Sequence, residues 1–153
     1  MTPSDACFNL IKRFESCRLN AYLDERGIPT IGWGHTGPEV HLGMTISQDI
    51  ADALLLKDVT HAADAVNRAV TAPITQAQYD AFVSLAYNIG PGSDSRDGII
   101  RLRNGNPSSF LRKLNAGDSL GAAQAMLAWV HAGDHISNGL VKRRAAEQSL
   151  FLS

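Results

Sequence analysis

Residues 12–37 read KRFESCRLNAYLDERGIPTIGWGHTG, the end of a helix running directly into a β-hairpin, and this junction limits the fold more than any other feature of the chain. The helix is announced by Thr2-Pro3-Ser4-Asp5, with Thr2 expected as N-cap and Pro3 at the first helical position. Cys7, Leu10, Ile11 and Phe14 then recur at three- and four-residue spacing, one apolar stripe. Asn20 to Leu23 makes a short strand, Glu25-Arg26-Gly27 the turn, and Ile28 to Ile31 the return strand. With a three-residue loop Asp24 opposes Ile28, and Thr30 becomes its diagonal neighbour on the same face.

That layout gathers three chemically useful side chains. Glu15 sits in the last turn of the helix and flanks the apolar stripe. Partial burial and the negative end of the helix dipole both disfavour its charged form, which suits a general acid. Asp24 and Thr30 are short enough to leave room for a water between them. Two carboxyl groups in different environments, one holding a proton and one ionised, are what hydrolysis of a glycosidic bond requires.

The remainder reads as helices. Ser47 caps an amphipathic segment from Gln48 to about Val70, with Leu55, Val59, Ala62, Val66 and Val70 on one face. Asp49, Asp52, Asp58 and Asp64 lie on the other, expected to be solvated. Thr75 and Gln78 form a capping box for a helix from Gln76 to about Asn88. A short helix is expected at Arg101–Asn104, stopped by Asn104-Gly105 and Pro107, and two more at about 120–132 and 138–150. The class is therefore α+β in a single domain. A small lobe spans about 15–47, a connecting helix about 48–70 and a helical lobe about 71–153, with the first helix packing on both.

At 153 residues, 44% hydrophobic and 19% charged, the chain has the composition of one ordinary globular domain. Its net charge is −1, unevenly spread: acids outnumber bases over residues 1–90 and the balance reverses beyond. A basic second half suits an acidic polymer such as a bacterial wall. Arg101 and Arg103 lack interleaved aromatics, so nucleic acid is not an expected partner. Cys7 and Cys17 stand about 15 Å apart at a rise of ~1.5 Å per residue, too far for a disulfide. Gly133 separates His131 from His135, and no metal or cofactor is expected. No transmembrane stretch or export signal is visible, and membrane insertion is not expected.

The pattern Glu15-x8-Asp24-x5-Thr30, followed by Ile31-Gly32-Trp33-Gly34-His35-Thr36, resembles the signature of the phage T4-type lysozymes, glycoside hydrolase family 24, and in look the lambdoid-type endolysins. The likeness extends through Ala81–Gly90, Leu111–Gly117 and Gly139–Glu147. It implies a lysozyme-like fold and a muramidase cutting peptidoglycan glycan strands, with Glu15 as proton donor, Asp24 and Thr30 managing the attacking water, and inversion at the anomeric carbon. It implies an arginine from Lys142-Arg143-Arg144 near Glu15, which would favour the ionised carboxylate. Asn88, Arg143, Arg144 and His35 become weaker substrate-binding candidates, His35 being equally readable as a structural hydrogen bond. A monomer is expected, held in the host cytoplasm until a holin opens the membrane. A lytic transglycosylase and a non-catalytic wall-binding protein are the rival readings; the presence of Asp24 and Thr30 speaks against the first, and the intact trio of Glu15, Asp24 and Thr30 against the second.

Overall fold

The computed structural model describes all residues 1–153. Helix α1 (Asp5–Glu15) leads into a three-stranded antiparallel sheet of β1 (Arg18–Leu23), β2 (Pro29–Gly32) and β3 (His35–Thr36). The long α2 (Gln48–Ala69) connects this sheet to α3 (Gln76–Ile89), α4 (Ser109–Asn115) and α5 (Ser119–Ala125). A turn of 3₁₀ helix, a two-residue hairpin of β4 (His131–Ala132) and β5 (His135–Ile136), and α6 (Asn138–Phe151) complete the chain. A small β lobe is thus joined by a long helix to a mainly helical lobe.

Two apolar clusters correspond to the two lobes. The larger surrounds α3, where the Phe110 ring meets Phe82 edge-on at 4.8 Å and Phe151 at 5.9 Å. The smaller joins Ile31, Val40, Ile46 and Ala51, holding the sheet on the first half of α2. Trp33 touches both. Helix α1 packs on α3 and reaches α6. The capping residues Ser47 and Thr75 perform as expected, the latter in a full capping box with Gln78.

Three local expectations are corrected and a fourth is refined. The N-cap of α1 is Ser4, not Thr2: its hydroxyl accepts from Ala6 N and donates to the buried Asp80 at 2.5 Å, while Ser4 N donates to the same carboxylate. That tie to α3 decides where the helix begins. Residues 101–107 form no helix. Arg101 pairs with Pro107 as a β-bridge, and Gly105 at φ +87° makes the reversal. The expected helix at 120–132 ends early, because Gly133 at φ +65° turns residues 131–136 into a hairpin. Finally, the aspartates of α2 remain at the surface, but two of them also bond to the β lobe. Asp52 accepts from Trp33 Nε1 at 2.8 Å, and Asp58 meets His35 at 2.6 Å, so this face holds the β lobe.

Candidate active site

A cleft of about 800 Å³ runs between the hairpin of the small lobe and the helical lobe. Glu15 and Asp24 both line it, together with Asn88, Arg143 and Arg144. Thr30 and His35 are not among its lining residues.

Glu15 is presented by an unusual backbone. Ser16, directly after it, has φ +45°, the one non-glycine residue in the left-handed region, and this turns the chain from α1 into β1. The Glu15 side chain is 17% exposed and its Oε1 accepts from Arg143 Nη1 at 2.5 Å. The other face of the carboxyl rests on Gly34, at φ +92°: a β-carbon there would lie 2.9 Å from Glu15 Cδ. Tyr87 secures that turn by donating its buried hydroxyl to Trp33 O at 2.6 Å.

Arg143 is itself held by residues that sequence reasoning had not singled out as functional. Its Nε donates to Glu147 at 3.2 Å. Glu147 is wholly buried and also takes Arg144 Nη1 and the Ser84 hydroxyl. Arg144 further donates to Trp129 O at 2.8 Å and to Asn88 Oδ1. Arg143 and Glu147 are one helical turn apart on α6, an i,i+4 spacing that marks a possible ion pair in sequence. Nothing in the sequence says that this pair is buried.

Asp24 ends β1 as the hairpin turns. Its Oδ1 accepts from Arg26 N at 2.8 Å and Ile28 N at 2.9 Å, the pattern of an Asx turn. Arg26 stands 3.8 Å from Oδ2. Pairing of Tyr22 with Thr30 and Leu23 with Pro29 brings Asp24 opposite Ile28, the register read from the sequence. Thr30 is buried, and its hydroxyl donates to Ile28 O at 2.8 Å. Asp24 N donates to the same carbonyl at 3.0 Å. Thr30 and Asp24 therefore meet at Ile28.

His35 lies away from the cleft. Its ring nitrogens contact Glu39 and Asp58 at 2.6 Å each, joining β3 to α2, and this structural bond replaces the substrate contact entertained for it. His131 and His135 sit on neighbouring strands, and no grouping of His, Cys, Asp and Glu could hold a metal ion. Both cysteines are free; burial pushes the Cys7 thiol up to about 12, so it is an inert core residue.

A family model described as Phage lysozyme matches residues 12–147. The chain belongs to the phage lysozyme family. It is 42% identical to the endolysin of Salmonella phage P22 over 147 residues, covering 94% of this chain and 92% of that one. It is 41% identical to the endolysin of Bacillus phage B103 along its whole length, yet spans only 55% of that protein. Among solved structures, the endolysin from Escherichia coli O157:H7 phage FAHEc1 superposes with a TM-score of 0.82 at 37% identity, covering 100% of this chain and 94% of the other. The muramidase domain of SpmX from Asticaccaulis excentricus gives a TM-score of 0.80 at 38% identity, with 98% and 97% covered. Glu15 and Asp24 thus share the cleft between the lobes with Arg143 and Arg144, and Glu147 is buried behind the two arginines.

Proposed function

We propose that this chain is an endolysin-type muramidase that hydrolyses the β-1,4 bond between N-acetylmuramic acid and N-acetylglucosamine in peptidoglycan. The observation that carries the reading is the shared cleft: Glu15 from a helix end and Asp24 from a hairpin turn line it from one side, with Asn88, Arg143 and Arg144 behind. Glu15 gives a proton to the departing glycosidic oxygen. Asp24, an acceptor for two amide donors, stabilises the positive sugar ring of the transition state and orients the attacking water. Thr30 supports that water through the Ile28 carbonyl that it shares with Asp24. Asn88 and the two arginines are the substrate-side contacts.

We assign inversion at the anomeric carbon, the outcome when a water fits between two carboxyl groups ~6.5–9.5 Å apart. Proton NMR of the first product released should show the α-anomer. The activity is tested by clearing of outer-membrane-permeabilised Gram-negative cells, with mass spectrometry of the fragments. Reducing sugar ends support hydrolysis; anhydro ends would make the protein a transglycosylase, and no clearing would leave a wall-binding protein. No helix is long and apolar enough to cross a membrane. Access to the wall is proposed to depend on a holin as a separate partner, the enzyme acting as a monomer from the host cytoplasm. Expression with and without a pore-forming partner tests this, cells lysing only with it.

A further inference from the structure

The loop joining α3 to α4 contributes a second wall to the cleft with Arg96, Asp97, Leu102 and Ser108, and Ser109 adds to it from the start of α4. It is tightly built. The backbones of Gly92 and Gly98 cross so closely that a β-carbon on Gly98 would overlap Gly92 N. Ile99 is fully buried, Ile99 N donates to Gly90 O at 3.1 Å, and Arg101 N donates to Pro91 O at 2.9 Å. Arg101 pairs with Asp94 at 2.8 Å, and Arg103 N donates to Asp97 at the same distance. Arg96 lies at the tip, its carbonyl accepting from Ser93 N at 2.8 Å.

Four arginines line the cleft, and three have carboxylate partners within 4.0 Å: Arg26 with Asp24, Arg143 with Glu15 and Glu147, and Arg144 with Glu147. Arg96 has none, and its side chain makes no hydrogen bond. Burial and then the facing Arg26 hold its guanidinium below the ordinary value, with Asp24 acting oppositely. The three groups therefore feel one another across the cleft mouth. Glu25 and Asp97 also line the cleft, so what sets this place apart is not a surplus of positive charge but one guanidinium, that of Arg96, left without a carboxylate partner and open to an entering anion.

We propose that Arg96 is a substrate-anion contact, taking a carboxylate of the peptide stems that hang from the glycan strand. The inference rests on the muramidase reading: the strand's sugars are neutral where the lactyl group is amidated, so carboxylates are supplied by the stems. A planar guanidinium on a braced loop suits bidentate capture of such a group. The position also gives the loop a function, since it lies over the Asp24 end of the cleft.

The test uses intact sacculi and sacculi whose stem carboxylates are capped as neutral amides with carbodiimide and methylamine. On intact sacculi R96A should raise KM about tenfold and change kcat much less, R96K should recover part of the loss, and added salt should weaken the wild type more than R96A. On capped sacculi the KM penalty should vanish. The control R68A, which removes a cation of α2 outside the cleft, should leave KM unchanged. An equal penalty on both substrates, or none on intact sacculi, overturns the assignment. Co-sedimentation of E15Q and E15Q/R96A with both kinds of sacculi separates the two readings. Loss of carboxylate-dependent binding in the double variant supports the Arg96 contact even if wild-type protein proves unable to cut, whereas equal sedimentation sinks it.

Discussion

Gly34 and Glu15 occupy each other's space: a β-carbon on Gly34 would come within 2.9 Å of Glu15 Cδ. The glycine also sits at φ +92°, where any side chain is strained. Gly34→Ala should therefore cost about 1–3 kcal/mol in stability and reduce wall cleavage by more than that loss explains, because the carboxyl must move. Denaturant melts and initial rates on permeabilised cells check both. Unchanged activity would mean that the carboxyl position is not critical.

Glu15→Gln preserves an oxygen acceptor for Arg143 but cannot give up a proton. It should abolish clearing while changing stability by no more than about 1 kcal/mol. Glu15→Ala, which takes one partner from a buried guanidinium, should be less stable than the glutamine variant. Residual lysis by Glu15→Gln near the wild-type rate would remove Glu15 from its assigned role.

Thr30 and Asp24 meet at the Ile28 backbone. Thr30→Val, which fills the same volume without the hydroxyl, should lose about 0.5–1.5 kcal/mol together with most activity, whereas Thr30→Ser should retain the bond and part of the activity. Asp24→Asn should leave the turn formed and remove the activity. A Thr30→Val enzyme losing stability alone would identify a purely structural threonine.

His35 makes the joint between the lobes dependent on pH. Burial lowers its affinity for the proton, but the bonds to Glu39 and Asp58 outweigh it, and its pKa is raised above 6.5. A raised histidine contributes stability that is complete below pH 6.5 and lost as pH rises through the folded value. Glu39 is held below its ordinary 4.5, first by its bond to His35, so its contribution is complete above pH 4.5 and fades as pH falls through the folded value. Denaturation midpoints should be highest between those limits, and His35→Gln should flatten the alkaline side. A wild-type midpoint constant from pH 6 to 9 would refute the linkage.

Glu147 holds Arg143 from below. Glu147→Ala would leave two buried guanidinium groups short of a partner and should cost about 3–5 kcal/mol, enough to lower the melting temperature sharply. Glu147→Gln, which retains the acceptors without the charge, should cost less. A neutral effect in both would mean that water replaces the carboxylate.

Local patterns were legible because they act over a few residues. The capping box Thr75/Gln78, the Ser47 cap and the Asp24–Ile28 register follow from spacing and turn chemistry. The start of α1 lies at Ser4 and not at Thr2 because Ser4 is tied to Asp80, 76 residues away in sequence. The 101–107 turn is non-local in the same way: Arg101 N bonds to Pro91 O, which ties the segment to the loop before it.

From the sequence alone came the helix-to-hairpin junction, the placing of Glu15 at the helix end and Asp24 at the hairpin turn, and the order of lobes, all set by periodicity and by residues adjacent along the chain. The tertiary structure decided what surrounds them: that Arg143, 128 residues beyond Glu15, contacts its carboxyl, that Glu147 is buried beneath both arginines, and that His35 faces α2 and not the cleft. Such contacts depend on which helix faces pack together, and the free energy of burial that selects them is a property of the assembled core.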